Sequence, residues 1–330
     1  MSRIANAGGL ELHSAFWLNL HHILYAEAWS RRGATARPGA QALPHPVMLP
    51  DVSVEWYDAH VADRDLLFDD GMSELHWALA KGELTELGDE HRCALEDAAP
   101  SYRDTALPDH DAVNRSWAAD AAQLVADLAA DVIPLLEQWY GEPWPTDPVR
   151  VDVVWVCNWE GAYTVLQPAP HVIASSTNDR QQGDAAAEIL FHEMSHLLIA
   201  SLRNELRGTQ GLWHAVLFYL TGEAVRRALT RLGTDYIPYL FSTGLIDRAW
   251  PQYRELLTTT WRDYSDGAIT RNEAVRAQQS PLAVILRCLG RLTFELLGVS
   301  TLLEHGRRSR AFHRIRQRGR CGIPAARSAE

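Results

Sequence analysis

The sequence predicts an α+β fold that is predominantly helical, with a small mixed or antiparallel sheet packed on a pair of helices. Long segments with apolar residues at helical spacing precede residue 141 and follow residue 184. Three short β-branched or alternating segments stand between residues 149 and 175. The segment Gly141 to Pro148 contains three prolines and interrupts the helical pattern, so it separates a helical first part from a mixed second part.

The first part is expected to consist of helices joined by a proline-rich linker. Leu12, Phe16 and Leu20 recur at helical spacing, and Gly33 follows the end of that segment. The linker is Pro38 to Pro50. The predicted helices are residues 11–31, 53–81, 84–98 and 110–140, and Pro134 is expected to kink the last of them.

The second part is expected to place a sheet before a second group of helices. The predicted strands are residues 149–156, 162–166 and 171–175. Asp184 is expected to cap the helix that follows. The predicted helices are residues 184–203 and 212–229, with residues 236–303 largely helical.

These patterns divide the chain into a helical N-terminal region (1–145), a catalytic region (146–305) and an arginine-rich C-terminal tail (306–330). The tail is either solvated or an arm that docks an anionic partner. The apolar segment Pro281 to Leu303 contains charged residues, so a buried helix is expected there and not a membrane span.

Composition excludes some partners and favours one compartment. The formal net charge of −11 makes nucleic acid an unexpected partner. The four cysteines show no C-x-x-C pair, and Met1 to Leu10 lacks the features of a signal peptide. We therefore expect a cytoplasmic protein that does not bind membranes, and the sequence leaves its oligomeric state open.

The motif His192-Glu193-Met194-Ser195-His196 predicts a catalytic zinc site. Histidines four residues apart lie on one face of a helix, about 40° apart, so that both imidazoles reach one ion. Glu193 is adjacent to the first histidine and points beside the ion, where a carboxylate can take a proton from water. The neighbouring residues are uncharged, as expected for a buried helix beneath a cleft.

A catalytic zinc normally has three protein ligands, so two histidines are too few. The metzincin pattern requires a histidine where this chain has Leu202. Glu223 lies in an apolar helix, where a carboxylate is costly unless it is paired or bound to a metal. It is therefore the expected third ligand, and a salt bridge with Arg226 or Arg227 is the alternative. Gly222 should let this helix approach the zinc helix closely.

On these residues the segment from about 149 to 230 resembles the gluzincins, the thermolysin-like zinc metallopeptidases. The resemblance implies zinc bound by His192, His196 and Glu223, with Glu193 as general base. Two positions depart from the family pattern. Arg227 stands where an aspartate often orients a zinc ligand, and Thr164 stands where the aminopeptidase branch has a glutamate that binds the substrate's amino terminus.

An oxyanion in the reaction would need a donor besides the metal. The resemblance points to position 214, which is a histidine here, nine residues before Glu223. On one continuous helix these residues are about 180° apart, so His214 serves only if the helix begins after it. Tyr219, one turn before Glu223, is the other candidate. Core packing is the alternative for both, and three further tyrosines stay open: Tyr236, Tyr239 and Tyr264.

The expected function is a zinc-dependent hydrolase, most simply a peptidase or amidase that acts on a peptide or small amide. The alternatives are a zinc hydrolase or lyase for a non-peptide metabolite, and a degenerate peptidase fold that only binds. Since Thr164 is neutral, little preference for a free amino terminus is expected, although Glu160 is close in sequence. His13, His21 and His22 are expected to be hydrogen-bonded, with a second metal site as the alternative.

Overall fold

The computed structural model describes residues 3–33, 42–159 and 161–278. Within them the protein is predominantly helical with one small mixed sheet, which confirms the predicted fold class. The predictions for residues 281–303, for the arginine-rich tail and for Glu160 fall outside the described residues.

The chain begins with a hairpin that the sequence did not reveal. Strand β1 is Arg3–Ala7, strand β2 is Leu10–His13, and helix α1 follows at Phe16–Arg31. The prediction of one helix over 11–31 is therefore wrong at its start. Strand β2 pairs with β1 on one side and with a distant strand on the other, and this tertiary pairing overrides the helical spacing.

Four helices complete the first part of the chain. Helix α2 is Asp51–His60, α3 is Asp70–Lys81, α4 is Asp89–Thr105 and α5 is Leu107–Tyr140. A short 3₁₀ turn, Leu84–Glu86, connects α3 to α4. The single helix predicted over 53–81 is two helices, because Asp69 caps a new helix by accepting from the Met72 N–H.

Strands β3 (Val149–Val154), β4 (Ala162–Val165) and β5 (His171–Ser175) lie close to their predicted positions. The sheet order is β1-β2-β3-β5-β4. The β2–β3 and β3–β5 pairs are parallel, and the β1–β2 and β4–β5 pairs are antiparallel. The sheet thus contains strands from both sides of the boundary predicted at residue 146, and that division stays a prediction.

Two hydrophobic cores cover the two faces of the sheet. Val172 and Ala174 of β5 belong to the core beneath α5, whereas Ile173 between them belongs to the core beneath α1–α4. In β4 the same alternation separates Ala162 from Tyr163. The central strands are buried on both faces, and the buried Asp152 of β3 is paired with Arg150 at 2.7 Å.

The helix after the sheet is shorter than predicted. Helix α6 is Asp184–Ser195, and α7, Ala200–Glu205, follows after a break. Asp184 makes no capping hydrogen bond, so its predicted capping role is wrong, and Gly183 precedes the helix instead. The Ser195 hydroxyl donates to the Phe191 carbonyl at 2.8 Å, a local bond that competes with helix continuation.

Helix α8, Leu212–Arg231, is continuous and packs against α5 and α6. The remaining helices of the described chain are α9 (Tyr239–Ser242), α10 (Leu245–Ala249), α11 (Arg254–Leu256), α12 (Arg262–Ser265) and α13 (Arg271–Ala277). A 3₁₀ turn, Pro251–Tyr253, and a π-helical turn, Leu257–Trp261, connect them. No helix of the described residues is long and apolar enough to cross a bilayer.

Gly222 sets the spacing of α6 and α8, as the sequence predicts. A Cβ atom at this position would lie 2.9 Å from Glu188 Oε1 on α6 and 2.7 Å from Pro238 Cβ. Both distances are shorter than non-bonded heavy atoms tolerate, so only glycine allows α8 to lie this close to Glu188 and Pro238. Glu188 is itself buried, and it accepts from the Tyr236 hydroxyl at 2.6 Å and the Tyr239 N–H at 2.9 Å.

The N-terminal histidines form a buried hydrogen-bonded network. His21 Nδ1 lies 3.0 Å from the Tyr57 hydroxyl, and His22 Nε2 lies 3.2 Å from the Tyr163 hydroxyl. The same Tyr163 hydroxyl is 3.4 Å from His76 Nδ1. The expectation of hydrogen-bonded rings is confirmed for His21 and His22, whereas His13 ends β2 and does not share their helix.

This network makes stability depend on pH. Burial lowers the pKa of His22 to about 3 and the pKa of His21 and His76 well below the ordinary value. Each ring stays neutral in the folded protein, whereas in the unfolded chain it takes up a proton below about pH 6.5. The resulting stability is therefore fully present above that pH and is lost as the pH falls.

The free energy of unfolding in the presence of chelator should fall between pH 6.5 and pH 5, by up to about 1.4 kcal/mol per pH unit for each such histidine. Glu188 and Glu193 act in the opposite direction, since burial raises the pKa of each to about 7. These two carboxyl groups are fewer than the histidines whose lowered pKa reduces stability at low pH. Besides His21, His22 and His76, those histidines are His13, His91, His110, His171, His192, His196 and His214.

Urea denaturation at several pH values measures this dependence. His76→Asn is the informative variant, because an amide can replace Nδ1 beside Tyr163 without titrating. Its pH slope should be shallower than that of the wild type by about one proton. Equal slopes for the two proteins would contradict the assignment of a neutral His76.

Candidate metal centre

Helix α6 carries the HExxH motif at its C-terminal end. His192 and Glu193 lie in its last turn, and His196 is the first residue after it, still with helical backbone angles. The His196 N–H donates to the Glu193 carbonyl at 3.2 Å, so the turn is tightened but not unwound. The two histidine rings consequently stay neighbours, with centroids 5.1 Å apart.

Helix α8 brings a third histidine to this pair. The His214 ring centroid lies 5.3 Å from that of His192 and 5.3 Å from that of His196. One nitrogen of each ring lies within 4.8 Å of the others, and these three residues are the group of potential metal ligands found in the described chain. His214 Nε2 and His192 Nε2 are 3.3 Å apart.

This nitrogen separation fits a shared zinc ion. Two nitrogens bonded to one tetrahedral zinc at about 2.0–2.1 Å are about 3.3–3.4 Å apart. The alternative for the same contact is an N–H···N hydrogen bond between His192 and His214. That hydrogen bond would not involve His196. Measurement of bound metal distinguishes the two arrangements.

The electrostatic state of the three rings suits metal binding. Burial is the main cause that lowers the pKa of His192 and His214 well below the ordinary value, and it lowers that of His196 to about 4. The positive charge of Arg203 lowers the pKa of His196 and His214 further. Neutral imidazoles are the form that coordinates metals, so no proton has to be removed near pH 7.

Aromatic side chains hold the histidine rings in place. Phe218, one turn after His214 on α8, stacks on His192 with centroids 3.6 Å apart. Trp213 stacks on His214 at 4.9 Å, and Trp250 contacts the same ring edge-on at 5.3 Å. The sequence shows an aromatic-rich helix here, but helical spacing alone does not reveal which rings contact the histidines.

Glu193 is buried beside the three histidines and is held by strand β4. Its Oε2 lies 4.0 Å from His196 Nε2. The Thr164 hydroxyl lies 2.7 Å from that Oε2 and 2.9 Å from the Glu193 carbonyl oxygen. Burial raises the pKa of Glu193 to about 7, and the hydrogen bond from Thr164 opposes this shift. Contact with Glu193 is a function of Thr164 that sequence comparison with the aminopeptidase motif missed.

Glu223 is not brought to the histidines, which corrects the predicted ligand set. Arg226 donates to both of its carboxylate oxygens at 2.6 and 2.8 Å, and Arg227 donates at 2.7 Å. Burial would raise the pKa of Glu223, but the two arginines outweigh it and the pKa is lowered. The salt bridge that was the alternative is therefore what the structure contains.

Glu223 lies away from the histidines because α8 is one continuous helix. His214 and Glu223 both lie within this helix, nine residues and about 180° apart, so only one of them can face α6's histidines. His214 is the one that does. It thus becomes a candidate metal ligand, and its predicted role as oxyanion donor is replaced.

The tyrosines proposed as oxyanion donors lie elsewhere. Tyr219 is buried about 140° around α8 from His214, and its ring contacts Phe241. Burial and the nearby Glu223 carboxylate raise its pKa. The Tyr236 hydroxyl donates to Glu188 and the Tyr264 hydroxyl to the Trp139 carbonyl. The Tyr239 ring stacks on Phe218, so Tyr239 supports the wall behind His192.

The support behind His192 differs from that of most metal sites. A metal-binding histidine usually donates its second ring N–H to a carboxylate or carbonyl. His192 Nδ1 is buried and has no hydrogen-bond partner among the described residues. Stacking with Phe218 therefore fixes the plane of this ring.

Comparison with known proteins adds no family to this description, because no protein-family model, curated protein or solved structure matches the chain.

The candidate metal centre predicts which substitutions remove zinc. His192→Ala, His196→Ala and His214→Ala should each lower zinc affinity by more than about tenfold, the scale on which even a lost outer partner acts. Glu223→Gln should retain one zinc per chain, because its carboxylate contacts arginines. Elemental analysis after dialysis against a competing chelator measures this. Full retention in His214→Ala, or loss in Glu223→Gln, would contradict the three-histidine set.

Proposed function

We propose that the protein is a zinc-dependent hydrolase of peptide or amide bonds, with His192, His196 and His214 as metal ligands and Glu193 as general base. The convergence of three neutral imidazoles beside a buried carboxylate is the observation that carries the proposal. A purely metal-storing or structural site has no need of Glu193. The fit of the ring nitrogens to zinc supports the choice of metal.

The reaction follows from the position of Glu193. A bound zinc ion supplies a Lewis acid that lowers the pKa of water and polarises a carbonyl. Glu193 accepts the proton of the attacking water and returns it to the leaving amine, so it acts first as base and then as acid. The Thr164 hydroxyl holds the carboxylate in position through both transfers.

Strand β4 supplies the surface along which an extended substrate lies in this proposal. It pairs with β5 and forms one edge of the sheet, directly beside Glu193. A peptide that adds to such an edge gains main-chain hydrogen bonds without requiring particular side chains. The substrate class is therefore a peptide or a small amide with an extended backbone.

Glu193→Gln tests the general base directly. Glutamine has a similar shape but cannot accept the proton, so turnover should fall by on the order of a hundredfold or more while bound zinc is retained. The exposed Glu142→Gln is the matched control and should behave like the wild type. A Glu193→Gln protein that retains wild-type turnover on a verified substrate would rule out this mechanism.

The protein should show little preference for a free amino terminus. The Thr164 hydroxyl is neutral and already bound to Glu193, so it does not supply the charge-assisted contact that holds a substrate ammonium. Matched peptides with free and acetylated amino termini should be cleaved at similar rates. Cleavage of the free form alone would mean that another carboxylate binds the amine and that the protein is an aminopeptidase.

A further inference from the structure

Arg203 on α7 is a cation beside the candidate metal centre without a carboxylate partner among the described residues. Its side chain is exposed, and its guanidinium carbon lies 4.6 Å from the centroid of the Trp213 ring. The acidic residue nearest to it on α7 is Glu205, but this carboxylate is bound by Arg271 at 2.6 Å. The position of Arg203 is therefore fixed by an aromatic face and not by an opposite charge.

In a protein with a net charge of −11, an arginine held by an aromatic face without a carboxylate is the less common case, which Arg203 shares with Arg103 over Phe16. Most arginines of the described chain bind a carboxylate within 4.0 Å. They are Arg3, Arg31, Arg32, Arg64, Arg92, Arg115, Arg150, Arg226, Arg227, Arg231, Arg254, Arg262 and Arg271. An arginine without such a partner can donate its guanidinium N–H groups to an anion from solution.

Arg203 is close enough to the metal centre to act on a substrate there. The Trp213 ring that it covers stacks on His214 at 4.9 Å and lies 5.9 Å from the His196 ring. One aromatic ring thus separates the guanidinium from two candidate ligands.

We propose that Arg203 binds the carboxylate of a substrate whose scissile amide lies at the metal centre, so that the enzyme removes a C-terminal residue or cleaves an N-acyl amino acid. The inference rests on the proposed hydrolase function and names its substrate class. A guanidinium is planar and can donate two parallel hydrogen bonds to one carboxylate. A carboxylate is also the anion at the C-terminus of an unblocked peptide.

The dimensions agree with a short leaving group. One residue beyond the scissile amide spans about 3.3–3.6 Å, and an arginine–carboxylate hydrogen bond adds about 2.7–2.9 Å. This reach is shorter than the 4.6 Å and 4.9 Å ring contacts through Trp213 taken together, which set the upper limit on the distance from the guanidinium to the His214 ring. Strand β4 then accommodates the acyl side of the substrate.

The test compares one blocked dipeptide, N-acetyl-alanyl-phenylalanine, with its C-terminal amide. The wild-type zinc protein should cleave the free acid with a kcat/KM about ten- to a hundredfold higher than the amide. Arg203→Gln should lose this preference through KM for the acid, and Arg203→Lys should keep part of it. Arg207→Gln, on a neighbouring exposed arginine that contacts Asn204, is the matched control and should retain the preference.

A second measurement separates failure of this inference from failure of the hydrolase proposal. Calorimetric titration of N-acetyl-phenylalanine and its amide into the wild type and Arg203→Gln reports the anion site without turnover. Arg203-dependent binding of the acid, with no cleavage of either dipeptide, would retain the carboxylate site and reject the hydrolase. Equal cleavage or binding of acid and amide by the wild type, or an unchanged preference in Arg203→Gln, would overturn the role of Arg203.

Discussion

The close packing of α8 against α6 is the constraint on which the candidate site depends. Gly222 permits it, because a Cβ there would lie 2.7 Å from Pro238 Cβ and 2.9 Å from the Glu188 carboxylate on α6. With the two helices at this distance, the face of α8 that carries His214 meets the end of α6 that carries His192. The opposite face of α8 is then directed away, and Glu223 lies on that face beside Arg226 and Arg227. A single helix-to-helix distance thus decides which polar side chains converge.

The motif and the helices around it could be predicted from sequence because their causes are local. The period of 3.6 residues puts His192 and His196 on one face, and β-branched alternation identifies β3 and β5. The hairpin β1–β2 could not be predicted, since Leu10 to His13 become a strand only through pairing with Val149 to Asp152 far along the chain. The third candidate ligand could not be predicted either. Helical geometry shows that His214 and Glu223 cannot both face the ion, but it does not say which face of α8 meets α6.

The environment of the site also depends on contacts that sequence patterns do not specify. Thr164 occupies a position that motif comparison assigns to substrate binding, yet the alternation of β4 points it at Glu193, while Tyr163 points at the histidine network on the other face. Arg203 shows the same limit. Its significance comes from the pairing of Glu205 with Arg271 and from the Trp213 ring, and neither relation follows from spacing along the chain.

The two buried histidine groups show that ring proximity alone does not make a metal site. The centroids of His21, His22 and His76 are 5.2–5.6 Å apart, nearly the spacing found in the candidate centre. In that network the hydroxyls of Tyr57 and Tyr163 each lie beside ring nitrogens, so the polar atoms are directed at tyrosines. In the candidate centre no tyrosine hydroxyl of the described residues is hydrogen-bonded to a ring nitrogen, and His192 Nε2 and His214 Nε2 lie 3.3 Å apart. Neutral rings with nitrogens within 4.8 Å of one another, and not burial or ring spacing, are therefore the feature that favours an ion.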